Sequence, residues 1–255
     1  MSGAETLRIA MWSGPRNIST AMMRSFENRP DTDVVDEPFY AAYLAATGLD
    51  HPMRAEVLAS QPTDWRAVVP GLTGAAPHGA PVFYQKHMTH HMLPDMDLGW
   101  TAACRNAFLI RHPARVLASY VEKRETAALA DIGVVRQRDL FEREADRLGH
   151  APPVIESAEV LRDPRGALSA LCAALDVPFR DEMLSWPAGR RASDGVWAPA
   201  WYDQVERSTG FQSRPEGDLP DLPDALRRVA DAAMPHYDAL ARWQLQVAGP
   251  ASQQN

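Results

Sequence analysis

Two short stretches of the chain carry side chains suited to gripping an anion. Ser13-Gly14-Pro15-Arg16-Asn17-Ile18-Ser19-Thr20 follows an apolar run and precedes a segment in which Met22 and Phe26 lie about one helical turn apart. A strand, a polar turn and a helix start in that order form an anion cradle. The first-turn N–H groups lack intrahelical partners, the helix dipole is positive there, and Arg16, Ser19 and Thr20 add donors. The same composition also serves an ordinary capped helix start. It is not a G-x-x-x-x-G-K-[ST] phosphate loop, because the second Gly and the Lys are missing. The second stretch is Ile110-Arg111-His112-Pro113-Ala114-Arg115-Val116-Leu117-Ala118-Ser119-Tyr120, with Arg111 ending an apolar run and Ser119 two turns into a helical pattern. Helical periodicity can bring both to one face, where an Arg fork and a hydroxyl suit a second phosphate. Read singly, Arg111 is equally a surface ion-pair partner and Ser119 a helix filler.

Positioning these groups falls to an alternation of short apolar runs and helical patterns. Runs apolar on both faces, at residues 7–12, 34–36, 82–85, 107–110 and 154–156, suit buried parallel strands. Between them, Val116, Leu117, Tyr120 and Val121 share one helical face, as do Ala167, Leu168, Leu171 and Leu175. Asp163 and Pro164 open the latter helix, Asp as cap and Pro at the first helical position. The alternation predicts an α/β fold of three layers, a central parallel sheet flanked by helices, with the ligand site at the carboxyl ends of the strands. A single domain is expected over residues 1–255, with 186–223 as a lid or active-site loop. Residues 70–81 read as a surface loop, 226–240 as a closing amphipathic helix and 247–255 as a loose tail.

The chain has 255 residues, 45% of them hydrophobic, enough for one full core. A net charge of -7 with 23% charged residues sets up no field for nucleic acid or an anionic membrane, so an anionic ligand must be held by local positive charge. Cys104 and Cys172 show no ligand spacing and are expected as buried thiols in a reducing compartment. Residues 1–7 lack a basic region before a long apolar run, and no stretch approaches the ~18 apolar residues of a membrane span. A cytoplasmic protein without leader or span is expected.

Together the two anion motifs resemble those of the sulfotransferase family, whose donor is 3′-phosphoadenosine 5′-phosphosulfate (PAPS). That family carries P-[KR]-S-G-[ST]-T after its first strand and R-x-P-x-x-x-x-x-S further on. Pro15-Arg16-Asn17-Ile18-Ser19-Thr20 aligns with the first, and Arg111, Pro113 and Ser119 fit the second, in the family's order. The resemblance implies a P-loop NTPase-like fold. It also implies that Pro15, Arg16, Asn17, Ile18, Ser19 and Thr20 hold the 5′-phosphosulfate, that Arg111 and Ser119 hold the 3′-phosphate, and that no metal takes part. Asn17 stands where the family has Ser and Ile18 where many members have Gly, so this turn cannot draw on glycine's freedom.

Asp36-Glu37-Pro38-Phe39-Tyr40 is similar to the E-P-aromatic step of carbohydrate-modifying sulfotransferases, whose Glu deprotonates the acceptor hydroxyl. This implies Glu37 as general base; a structural ion pair with Arg16 is the alternative. Gln85-Lys86-His87 is similar to the Lys and His of cytosolic small-molecule sulfotransferases, although that pattern places a residue between them. By this likeness His87 is a competing base and Lys86 stabilises charge on the sulfuryl oxygens or the leaving phosphate. His87, His90 and His91 near Asp95 and Asp97 lack firm ligand spacing, and no metal is expected. Trp197 and Trp201 could stack on adenine, shape an acceptor pocket or pack in the core. The implied reaction moves a sulfuryl group to a hydroxyl or amine of a small-molecule or carbohydrate-like acceptor, with no nucleic-acid or membrane partner. A nucleotide-dependent kinase and a non-catalytic nucleotide-binding module are the other readings.

Overall fold

Along β1 (Leu7–Ser13) alternate side chains face opposite sides, and that alternation sorts the core into two layers. The computed structural model describes residues 6–121, 127–212 and 217–247. Four more strands run parallel to β1: β2 (Thr32–Asp36), β3 (Val82–Met88), β4 (Arg105–Ile110) and β5 (Val154–Glu156). Their order is β2-β3-β1-β4-β5. All five expected strands are present, and the fold is the expected α/β type. The chain leaves β1 toward β2 and β3 on one side, then crosses to β4 and β5 on the other. β1 is thus the switch point, where a crevice opens at the carboxyl ends of the strands.

The helices of the first half are α1 (Ser19–Glu27), α2 (Tyr40–Thr47), α3 (Arg54–Ser60), α4 (Trp65–Thr73) and α5 (Pro113–Val121). Those of the second half are α6 (Val134–Leu148), α7 (Ser157–Arg162), α8 (Pro164–Ala174), the short α9 (Ala198–Trp201) and α10 (Asp203–Glu206), and α11 (Asp224–Ala241). Ile9 and Met11 of β1 pack with Met22 and Phe26 of α1, Val160 of α7 and Leu168 and Leu171 of α8. Ala10 and Trp12 face the other layer, with Leu72 of α4, Leu140 and Phe141 of α6 and Leu240 of α11. Asp163 caps α8 as expected, its carboxylate accepting from Gly166 N at 3.0 Å with Pro164 at the start of the helix.

A third cluster lies over the carboxyl end of the sheet. Tyr40, Tyr43 and Leu44 of α2 and Val57 of α3 pack there against Trp197, Ala198 and Tyr202. This brings the 186–223 segment onto α2, and its residues 213–216 lie outside the described residues. The expected surface loop at 70–81 is corrected in part. α4 continues through Pro70 to Thr73, since a proline forfeits one helical hydrogen bond without ending a helix whose apolar face is buried. Of the expected tail, residues 248–255 lie outside the described residues.

Candidate active site

The turn between β1 and α1 is wound tightly without glycine at its crux. Arg16 and Ile18 both adopt left-handed backbone angles, φ 56° and 47°. A β-branched residue in that region is strained, so the surroundings must hold it there. Three contacts do so. Asn17 Nδ2 donates to Leu109 O at the end of β4 (2.6 Å), Arg111 donates to Arg16 O (2.8 Å), and Ile18 packs on the apolar core beneath α1. Gly14 permits the approach of the neighbouring chain, because a Cβ there would lie 2.5 Å from Ile132 O. No side chain caps α1 at Ile18, so an ordinary side-chain-capped helix start is not what this turn builds. Asn17 is buried, and its Nδ2 tethers the turn to β4. It also lines the cleft described next, and its Oδ1 has no hydrogen-bond partner among the described residues.

The second motif closes on the first. Arg16 Nε donates to Ser119 Oγ at 2.9 Å, and with the Arg111 bond to the Arg16 carbonyl this joins the two stretches across 103 and 95 residues of sequence. They flank a cleft of about 600 Å³ whose wall includes Pro15, Arg16, Ile18, Ser19 and Thr20 from the turn, Arg111 and Ser119 from the second motif, and Glu37 and Lys86. From the C-terminal segment Trp197, Trp201, Tyr202 and Arg207 complete it.

Beside the end of the cleft formed by the two motifs sits a buried ionic cluster. Lys86 Nζ donates to Asp36 Oδ1 (2.9 Å), Glu37 Oε1 (2.7 Å) and Tyr202 Oη (2.7 Å). Those three bonds use all the donors of an ammonium. Lys86 therefore lines the cleft with an ammonium already bound to Asp36, Glu37 and Tyr202. Tyr202 Oη donates to Asp36 Oδ2 (2.7 Å) and accepts from Trp197 Nε1 (3.1 Å). Burial raises the Glu37 carboxyl above its ordinary range and adjacent Asp36 raises it further, against the opposing pull of Lys86. Burial alone would lower Lys86, but Asp36 and Glu37 together hold it well above its usual value. Glu37 has a left-handed backbone (φ 41°), pinned by its N–H to Lys86 O (3.0 Å) and by its carbonyl accepting from Tyr40 N (3.1 Å).

β3 runs three residues beyond its expected end, which separates Lys86 from His87. Adjacent strand residues face opposite sides. Lys86 meets the cleft, while His87 stacks on Trp12 with centroids 4.6 Å apart and lies close to Phe39 and Trp100. Its Nε2 pairs with Gln85 Oε1 at 3.2 Å, and burial lowers its pKa to about 3. His87 is not brought to the cleft, and its expected role as competing base is corrected.

His91 does line the cleft, stacked on Tyr40 at 4.7 Å and Tyr43 at 4.8 Å, with His51 bonded to Tyr40 Oη at 2.8 Å. Burial, then the neighbouring His90 and His51, hold His91 well below the usual imidazole value. Among the described residues no three His, Cys, Asp or Glu side chains form a metal-binding group. Asp36, Tyr202, Tyr40 and His91 were not expected at the site. Asp36 and Tyr40 flank Glu37 in sequence, His91 stood out there only as a candidate metal ligand, and Tyr202 lies within the 186–223 segment.

Comparison with known proteins bears on the same region. A family described as "Sulfotransferase domain" matches residues 7–243. Two proteins of Arabidopsis thaliana are similar. "Branched-chain-amino-acid aminotransferase-like protein 1" is 37% identical over 94% of this chain and 40% of its own length. "Branched-chain-amino-acid aminotransferase-like protein 2" is 35% identical over 80% of this chain and 36% of its own. The chain thus spans about two-fifths of the curated relatives it matches. Among solved structures, a sulfotransferase from Alicyclobacillus acidocaldarius superposes with a TM-score of 0.52 at 14% identity, covering 92% of this chain and 94% of that one, a likeness of fold. With the family match running from the first strand to just past the last described helix, this chain belongs to the sulfotransferase-domain family.

Proposed function

We propose that the chain transfers a sulfuryl group from PAPS to a hydroxyl, or an amine, of a small-molecule or carbohydrate-like acceptor. The observation that carries this reading is the junction of the two anion motifs, Arg16 to Ser119 and Arg111 to the Arg16 carbonyl, in a cleft that also holds Glu37. The donor set fits the nucleotide. The uncapped start of α1 with Ser19 and Thr20 suits the 5′-phosphosulfate, and Arg111 with Ser119 suits the 3′-phosphate. Bound PAPS supplies the sulfuryl group, and Arg16 lies between the two phosphate subsites as a charge-stabilising donor.

Glu37 takes the acceptor's proton as its oxygen bonds to sulfur and the bond from sulfur to the 5′-phosphate oxygen breaks, leaving adenosine 3′,5′-bisphosphate and the sulfated acceptor. A carboxylate whose proton affinity is raised by burial suits that task. Tyr40, His51 and His91 line the same cleft as Glu37 and offer the acceptor their ring surfaces. The reading needs no metal. It also places the reaction in the cytoplasm, supported by two unpaired, buried cysteines.

The test is calorimetric titration with adenosine 3′,5′-bisphosphate, with AMP, ADP and ATP as controls and no metal added. Binding that requires the 3′-phosphate is expected. A preference for ATP that depends on magnesium would replace this reading with the kinase one.

A further inference from the structure

We propose that Tyr202 is a positioning residue for Glu37. Its hydroxyl holds Asp36 and Lys86 in the arrangement that points the Glu37 carboxylate into the cleft and sets how readily it takes a proton. That this proton comes from an acceptor rests on the sulfuryl-transfer reading; the positioning itself does not.

Tyr202 Oη is a three-way junction. It accepts from Lys86 (2.7 Å) and from Trp197 Nε1 (3.1 Å) and donates to Asp36 Oδ2 (2.7 Å), so its proton and both lone pairs are engaged. Lys86 has no donor left over, and its ammonium cannot turn without abandoning one of three buried acceptors. Asp36 is held on its far side by Gly195 N at 3.2 Å. The Tyr202 ring adds a face to the ammonium, with Nζ 4.8 Å from the ring centroid.

Two carboxylates share this one ammonium, so Lys86 cannot neutralise both, and the orientation of its N–H groups decides how much counter-charge Glu37 receives. The groups that act on Glu37 are Asp36 from β2, Lys86 from β3 and Tyr202 from the bend between α9 and α10. Tyr202 is the one contributed by the C-terminal segment. That segment also lines the cleft with Trp201 and Arg207, so its seating over the cleft is tied to the state of the base.

The test reads Glu37 directly. With full-length protein carrying ¹³C in the Glu side-chain carboxyls and no nucleotide, the Glu37 resonance is identified by its loss in Glu37→Gln and titrated against pH. Tyr202→Phe keeps the ring and removes the junction. Its expected result is a rise of about one unit in the Glu37 midpoint, because Asp36, deprived of the Tyr202 hydroxyl, draws Lys86 away from Glu37. Asp36→Asn removes a negative neighbour while keeping the shape, and a fall is expected. Opposite shifts from two neighbouring conservative changes are not what general loosening produces. A Glu37 midpoint that stays put in folded Tyr202→Phe protein overturns the proposal. Should Tyr202→Phe not fold, an unmoved or raised midpoint in Asp36→Asn does so. Absence of adenosine 3′,5′-bisphosphate binding would remove the sulfuryl-transfer reading and leave this titration standing.

Discussion

Glu37 and His87 lie fifty residues apart and face different sides of the sheet. Glu37 follows β2 on a backbone turned to φ 41° and faces the cleft, whereas His87 faces the opposite layer of the core. Glu37→Gln is expected to lower turnover by ~10²–10⁴ while leaving affinity for adenosine 3′,5′-bisphosphate nearly unchanged, as steady-state rates and calorimetry would show. Because the base must be ionised to accept a proton, the rate should fall on the acid side through a pKa above the ordinary carboxylate range. Arg111→Ala should weaken the 3′-phosphorylated nucleotide by about tenfold or more and AMP much less, the selective loss of a charge-assisted contact. Equal losses for both nucleotides would take Arg111 off the 3′-phosphate. The residues of these motifs were legible because their types alone suit anions. Tyr202 was not, because its partner Asp36 lies 166 residues away and a lone Tyr in a Trp-rich stretch reads equally as core. The saturation of Lys86 was hidden for the same reason, since a side chain's partners are a property of the fold and not of its neighbours in sequence.

At the scale of elements, the alternation of apolar runs located every strand among the described residues, yet it ended β3 too early. Gln85, Lys86 and His87 are polar, and only the fold makes their burial tolerable by giving Lys86 three acceptors and His87 an aromatic bed. α6 escaped notice because charged residues outnumber apolar ones along it, although Leu140 and Phe141 face the core. The 186–223 segment was expected as a lid, and the structure gives it firm anchors. Asp194 Oδ2 pairs with Arg24 of α1 at 2.6 Å, both side chains buried, and accepts from Arg191 N at 2.7 Å. Asp194→Ala would leave Arg24 with Glu27 alone, at 3.4 Å. A loss of about 3 kcal/mol in urea unfolding is expected, because a buried guanidinium then keeps only that longer contact. Nucleotide affinity should fall as well, since the start of α1 is the proposed 5′-phosphosulfate subsite. A loss under about 0.5 kcal/mol would mean that the segment is not anchored there.

Across the whole molecule, the layered parallel sheet could be read from the sequence because buried strands and amphipathic helices carry different periodicities, while the way the C-terminal third wraps over the cleft carries no periodic signature. What ties the layers together also sets the response of the fold to acid. His87 is buried between the sheet and the outer layer, and burial lowers its pKa to about 3 from an ordinary 6.5. In the unfolded chain the imidazole returns to the ordinary value, so between those two pH values the unfolded state binds more protons than the folded state. Stability then rises with pH. This contribution is complete above about pH 6.5 and is lost as pH falls toward about 3; at pH 5 the loss is about 2 kcal/mol. His91, also depressed by burial, acts in the same direction. His87→Phe keeps an aromatic ring against Trp12 and removes the titrating group. Urea unfolding at pH 7 and pH 5 should therefore show a smaller acid loss in His87→Phe than in the parent, by about 2 kcal/mol, whatever the variant's stability at pH 7. An unchanged acid loss would mean that His87 is charged or solvated in the folded state, and would reopen it as a candidate base beside Glu37.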